Sequence, residues 1–170
     1  MNSDLNSLPW RSAIFTMVLS MLFWSLGVHA SSVDLHIYDL DPLSGSETPS
    51  FESLRGKIDT LVFFEPECSW CFKQARVLNK LQQDCRSFGA AAIGVNGSIR
   101  DLKKTVQSMR LDFYSYQINS ELQKDLGKVE ATPLLIFLNE QGEYASYVRG
   151  YQNRDKLGEI LRNLNPNYCS

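Results

Sequence analysis

Cys68 and Cys71, in the run Glu67-Cys68-Ser69-Trp70-Cys71, stand three residues apart where an apolar segment gives way to a helical pattern. On a helix that spacing sets two sulfurs one turn apart, within bonding reach. A thiol at a helix N-terminus meets unpaired backbone N–H groups and the positive end of the macrodipole, and both favour the thiolate. A thiolate at Cys68 can attack a disulfide, and Cys71 can then resolve the mixed disulfide so that Cys68 and Cys71 end up joined. Run backwards, the same pair oxidises a dithiol. The other uses of such a pair are a structural staple or half of a zinc site. Zinc needs two further ligands from Cys85, Cys169 or His36, and none of these has the spacing of a second knuckle, so no metal is expected.

The elements that must hold this pair alternate between strand-like and helix-like segments with short connections, an α/β pattern in one layered unit. Val33 to Leu40 alternates apolar and polar residues and reads as a half-buried strand entering the turn 41–46. Phe51 to Gly56 reads as a short helix or turn, and Thr60 to Phe64 as a strand covered on both faces, stopped by Pro66. From Ser69 to about Phe88 the apolar residues recur at three and four, marking an amphipathic helix that opens at the cysteine pair. Ala90 to Val95 is strand-like, Ile99 to Met109 helical, Phe113 to Ile118 extended, and Ser120 to Leu126 helical with Gly127 as its end. Leu134 to Leu138 and Tyr144 to Val148 form a hairpin about Asn139-Glu140-Gln141-Gly142, and a helix over 155–164 closes the chain before Pro166.

The first thirty residues stand apart from this pattern. Ala13 to Leu26 is an almost unbroken apolar run behind Arg11, followed by Val28-His29-Ala30-Ser31, the layout of a secretory signal peptide cut after Ala30. An uncleaved anchor is the other reading, since 13–30 is only a little short for a span and Asp4 weakens the leading positive charge. Residues 1–30 are therefore expected to be a leader and 31–170 the domain, facing a periplasmic or other extracytoplasmic compartment. With 17 basic and 19 acidic residues the net charge is −2, no long basic run exists, and nucleic acid is not an expected partner. In an oxidising compartment the four cysteines end as bridges or as redox chemistry. No motif binds nucleotide, flavin or haem; Phe72 after Cys71 excludes the haem-attachment pattern, and no cofactor is expected.

In its ordered motifs the chain resembles the thioredoxin superfamily, and within it the TlpA/ResA/CcmG-type periplasmic thiol-disulfide oxidoreductases. The matching features are Leu54-Arg55-Gly56-Lys57 before the strand, the CxxC at the strand-to-helix junction, Ala131-Thr132-Pro133 before 134–138, and Gly150 ahead of the last helix. The resemblance implies a thioredoxin-like fold, a central mixed sheet flanked by helices with an extra N-terminal strand or hairpin. It implies a cis bond before Pro133, with the Thr132 backbone free to pair with an extended substrate. Trp70, an aromatic beside a reactive thiol, is a candidate to line a docking surface with Pro133; fold packing is the alternative. Three positions depart from the pattern. A buried Asp six residues before the first cysteine is replaced by Val62, a Glu three residues after the second by Gln74, and the Trp before the first cysteine by Glu67. The usual proton acceptor is thus missing, and Glu65 or Glu67 is a candidate to take over proton handling; the alternative is two solvated acids.

In the implied fold, Cys85 falls near the end of the active-site helix and Cys169 just after the last helix, two helices that share a sheet face, so a structural bridge between them is one expectation. A free buried Cys85 with a loose or intermolecular Cys169 is the other. The implied activity is exchange with exported proteins carrying disulfides or dithiols, as a reductase fed by a membrane electron donor of the DsbD/CcdA kind. A reversed role, as an oxidase or isomerase coupled to a DsbB-like acceptor, uses the same residues. A redox-inactive binding module with Cys68-Cys71 as a permanent staple is the reading from another class.

Overall fold

The computed structural model describes residues 33–45 and 47–169. The expected leader, residues 1–30, lies outside them.

Two short apolar runs make the centre of the sheet. In β1 (Thr60–Phe64) and β2 (Ala90–Gly94) every residue is buried, because both faces are covered. They pair in parallel from Thr60 opposite Ala90 to Phe64 opposite Gly94, and β3 (Ser115–Gln117) extends the parallel side. β4 (Leu134–Leu138) pairs antiparallel with β1, and β5 (Tyr144–Arg149) antiparallel with β4. The result is a five-stranded mixed sheet in the order β3-β2-β1-β4-β5. Its helices are α1 (Ser69–Asp84), α2 (Ile99–Met109), α3 (Ser120–Leu126) and α4 (Arg154–Leu164). Ser98, Asn119 and Asn153 start the last three, each accepting a side-chain bond from the backbone N–H three residues on.

Alternation along the strands sorts the core into two layers. Val62, Phe64, Leu135 and Phe137 pack with Leu78 and Leu81 of α1, Leu102 of α2 and Leu157 and Leu161 of α4. Leu61, Phe63, Ile136 and Leu138 face the other way, onto Leu35, Tyr38, Leu40, Phe51 and Leu122. Each such fully buried side chain contributes about 1.5–3 kcal/mol. The shared order of sheet and helices brings the C-terminal ends of β1 and β2 and the start of β4 to one end of the molecule, where the cysteine pair lies.

The N-terminal segment differs from the expected strand. Asp34 makes an isolated bridge with Glu143 beside β5, then its carboxylate accepts from the His36 N–H at 2.9 Å and the chain turns through the 3-10 helix Leu35–Ile37. Such a local side-chain bond competes with a ladder and bends the backbone. Leu35, His36, Tyr38 and Leu40 are buried while Val33 and Ile37 are exposed, so the alternation belongs to a strap and not to a strand face. The strap ends at the opposite edge, where Pro42 bridges Tyr116 of β3. The helix expected as far as Phe88 ends at Asp84, with Cys85 as its cap.

Candidate active site

β1 carries the chain to the site, and two residues turn it off the sheet. Pro66 has no N–H to extend a ladder, and Glu67 adopts a left-handed conformation at φ 62°, uncommon for a residue with a side chain. Cys68 therefore arrives as the N-cap of α1 in an extended conformation, and its Sγ accepts from the Cys71 N–H at 3.1 Å. This is the place where an N-capping oxygen would otherwise sit, and a sulfur held there is stabilised as an anion by the first-turn N–H groups. Cys68 and Cys71 are joined, with Cα atoms 5.2 Å apart. Cys71 is 1% exposed, packed among Val62, Phe64 and Ala75, whereas Cys68 is half-buried, so an incoming reagent meets Cys68 first.

The Thr132-Pro133 bond is cis. Pro133 is buried, and its carbonyl accepts from the Gly150 N–H at 2.8 Å, which ties the loop ahead of β4 to the end of β5. Trp70, Thr132, Pro133, Gly150 and Tyr151 line a shallow groove of about 350 Å³. Trp70 is half exposed, its ring lies 5.7 Å from that of Tyr151, and the Lys73 ammonium sits 3.9 Å above it. Trp70, Thr132 and Pro133 are thus brought to one surface beside the cysteine pair.

Glu65 and Glu67 part company. Glu65 is half-buried; its Oε1 accepts from the Thr132 hydroxyl at 2.8 Å and its Oε2 from the Asn96 side-chain amide at 3.0 Å. Glu67 points elsewhere and borders a separate depression with Pro66, Phe72, Asp101 and Lys104.

No family model and no curated protein matches the chain. Solved structures do. A secreted disulfide oxidoreductase of Mycobacterium tuberculosis matches with a TM-score of 0.62 and 20% identity over 76% of this chain and 97% of its own. A thioredoxin-family thiol:disulfide interchange protein of Chlorobium tepidum matches at 0.63 and 18%, over 75% and 92%. An exposed lipoprotein thioredoxin of Streptococcus pneumoniae matches at 0.62 and 18%, over 75% and 98%.

The fold is thioredoxin-like.

Within this thioredoxin-like frame the departures read from the sequence have physical content. Val62 and Cys71 share one apolar cluster, and Gln74, fully buried, accepts from the Gln152 N–H at 2.8 Å while its Nε2 has no partner. Neither Val62 nor Gln74 brings a charge to this region, and Gln74 serves to tie α1 to the loop that carries Tyr151. Gln152, Asn96 and Tyr151 were not singled out by sequence reasoning. Asn96 opens the Asn96-Gly97 dipeptide after β2, and its left-handed φ of 52° is the property that such a dipeptide signals. The two remaining cysteines lie at the other end of α1, about 24 Å along its axis. There Cys85 is joined to Cys169, with Cα atoms 4.7 Å apart. His36, the third ligand weighed for zinc, is buried in the other layer with its ring stacked on Phe51. Among the described residues no helix is long and apolar enough to cross a membrane, and no group of three or more His, Cys, Asp or Glu is placed to hold a metal ion.

Proposed function

We propose that the protein is an exported thiol-disulfide oxidoreductase that exchanges disulfides with exported proteins through Cys68 and Cys71, working as a reductase. The observation that carries this reading is the Cys71 N–H aimed at the Sγ of a solvent-reachable Cys68 at the tip of α1, with its partner sulfur sheltered one turn inward. In the reduced protein the Cys68 thiolate attacks one sulfur of a client disulfide and releases the other as a thiol. Cys71 then loses its proton, attacks Cys68 Sγ and releases the second client thiol. Two electrons have moved to the client, and the Cys68-Cys71 bond has formed. A membrane donor of the DsbD/CcdA kind returns the electrons. Trp70, Thr132 and Pro133 bind the client, the Cys85-Cys169 bridge is structural, and the leader is removed after Ala30.

The test is capture. A Cys71→Ser protein should hold a covalent adduct through Cys68 with a model disulfide, released by reductant and seen as added mass. If no such adduct forms, the assignment fails. Equilibration in graded thiol buffers then reads the direction: a midpoint near about −270 mV supports a reductase, and one near about −120 mV an oxidase.

A further inference from the structure

The loop 127–133 belongs to no helix or strand, yet it must present Thr132 and Pro133 to the groove at a fixed height above Cys68. Its position is set by hydrogen bonds from two other loops. Thr132 Oγ1 donates to Glu65 Oε1 at 2.8 Å, and the Asn96 amide donates both to Glu65 Oε2 at 3.0 Å and to the Val129 carbonyl at 3.1 Å. One carboxylate and one amide therefore hold the loop at residues 129 and 132 and join it to the arm 65–67 that leads into Cys68.

The far side of this junction is rigid as well. Asn96 is left-handed, and Gly97 approaches Pro66 so closely that a Cβ there would lie 2.6 Å from Pro66 Cγ. The turn after β2 is thus pressed against the arm, and Asn96 has little freedom to move away from Glu65. Both Glu65 oxygens accept a hydrogen bond. Bonds to a charged acceptor are the stronger kind, and losing one partner costs more than losing a neutral pair.

We propose that Glu65 is a positioning residue whose carboxylate fixes the Thr132-Pro133 loop relative to Cys68, so that extended polypeptide disulfides are favoured over small ones. This rests on the exchange reading above. A polypeptide client must lie along Thr132 and Pro133 while its sulfur reaches Cys68, and it gains from a loop that loses no further freedom on binding. A small disulfide touches only the sulfur and gains nothing.

The test compares two disulfides on the reduced full-length chain: an unstructured peptide with an internal disulfide, and the small aromatic reagent dithiobis-nitrobenzoate. Glu65→Ala should raise KM for the peptide about tenfold, with kcat and the rate with the small reagent within about twofold, and Thr132→Val should raise the peptide KM by a like amount. The double variant should be no worse than either single, because the two act as one unit. Asn96→Gly keeps the left-handed backbone without the amide and should move peptide KM the same way, which guards against a Glu65→Ala protein whose site has collapsed. Equal losses on both disulfides, an unchanged peptide KM, or additive effects in the double variant would each overturn the positioning role while leaving exchange standing. A wild type inert toward both disulfides would overturn the exchange reading and this one together.

Discussion

The two ends of α1 carry the same covalent bond in opposite surroundings. At the N-terminus the bridge spans three residues, one sulfur is within reach of solvent, and backbone N–H groups point at it. At the C-terminus the bridge spans 84 residues, Cys85 is 3% exposed against Phe88 and Tyr168, and the Ser87 hydroxyl donates to the Tyr168 carbonyl at 2.8 Å. The dipole there is negative and disfavours a thiolate. A disulfide's character is thus set by which helix end it occupies and by the chain it closes. Attack and release are cheap at one end; at the other, opening the bond frees the whole second half of the chain from a constraint.

The largest effect that can break this contrast is chemical. Cys68→Ser should lower the exchange rate at least about a thousandfold, because no other sulfur is presented for attack, while Cys85→Ser should leave the rate within about twofold. Comparable losses in single-turnover assays would erase the distinction. Next comes stability. Cys169→Ser should lower the unfolding free energy by about 4.5 kcal/mol in the chain-entropy model, against a far smaller change on reducing Cys68-Cys71, whose loop is short. Urea unfolding of the two proteins measures both quantities.

Between pH 7 and 5 the group expected to respond to acid lies at neither end. Burial pushes the His36 imidazole below its ordinary value, outweighing the Gly142 carbonyl at 3.1 Å and the Asp34 carboxylate, which raise it. The unfolded chain then takes up the proton first, so this contribution is complete above pH about 6.5 and is lost as pH falls below that toward the folded value. The urea midpoint should therefore drop between pH 7 and 5 with both bridges intact, and His36→Phe should flatten the slope. The only other histidine is His29, in the expected leader. The smallest effect is expected mid-helix. Gln74→Leu leaves the Gln152 N–H unpaired but also removes the buried, partnerless Nε2, so the net change should be under about 1 kcal/mol; a loss of several would mean that the tie to the Tyr151 loop has been underestimated.

The periodic parts of the fold were legible in advance. Thr60–Phe64, Ile99–Met109, Ser120–Leu126 and Leu134–Leu138 carry their boundaries in composition and caps, because the apolar runs and the Ser, Asn and Gly residues that delimit them act locally. The strap at 33–43 was not, since its alternation mimics a strand and only the Asp34 carboxylate bonding to its own backbone diverts it. At the site, the cysteine pair announces itself by spacing. The contacts of Glu65 with Thr132 and Asn96 join residues 67 and 31 positions apart, and no pattern in a single sequence encodes such a meeting. The same holds for Gln74 and Gln152.

The strap also bears on the order in which this chain can be completed. Its first residues seal one face of the sheet with Leu35, Tyr38 and Leu40, yet they are fastened beside Glu143 and Tyr144, whose N–H donates to the Val33 carbonyl at 2.8 Å. A ribosome must add more than a hundred further residues before that seam can close. Throughout synthesis the nascent polypeptide keeps apolar surface open, which delays premature compaction.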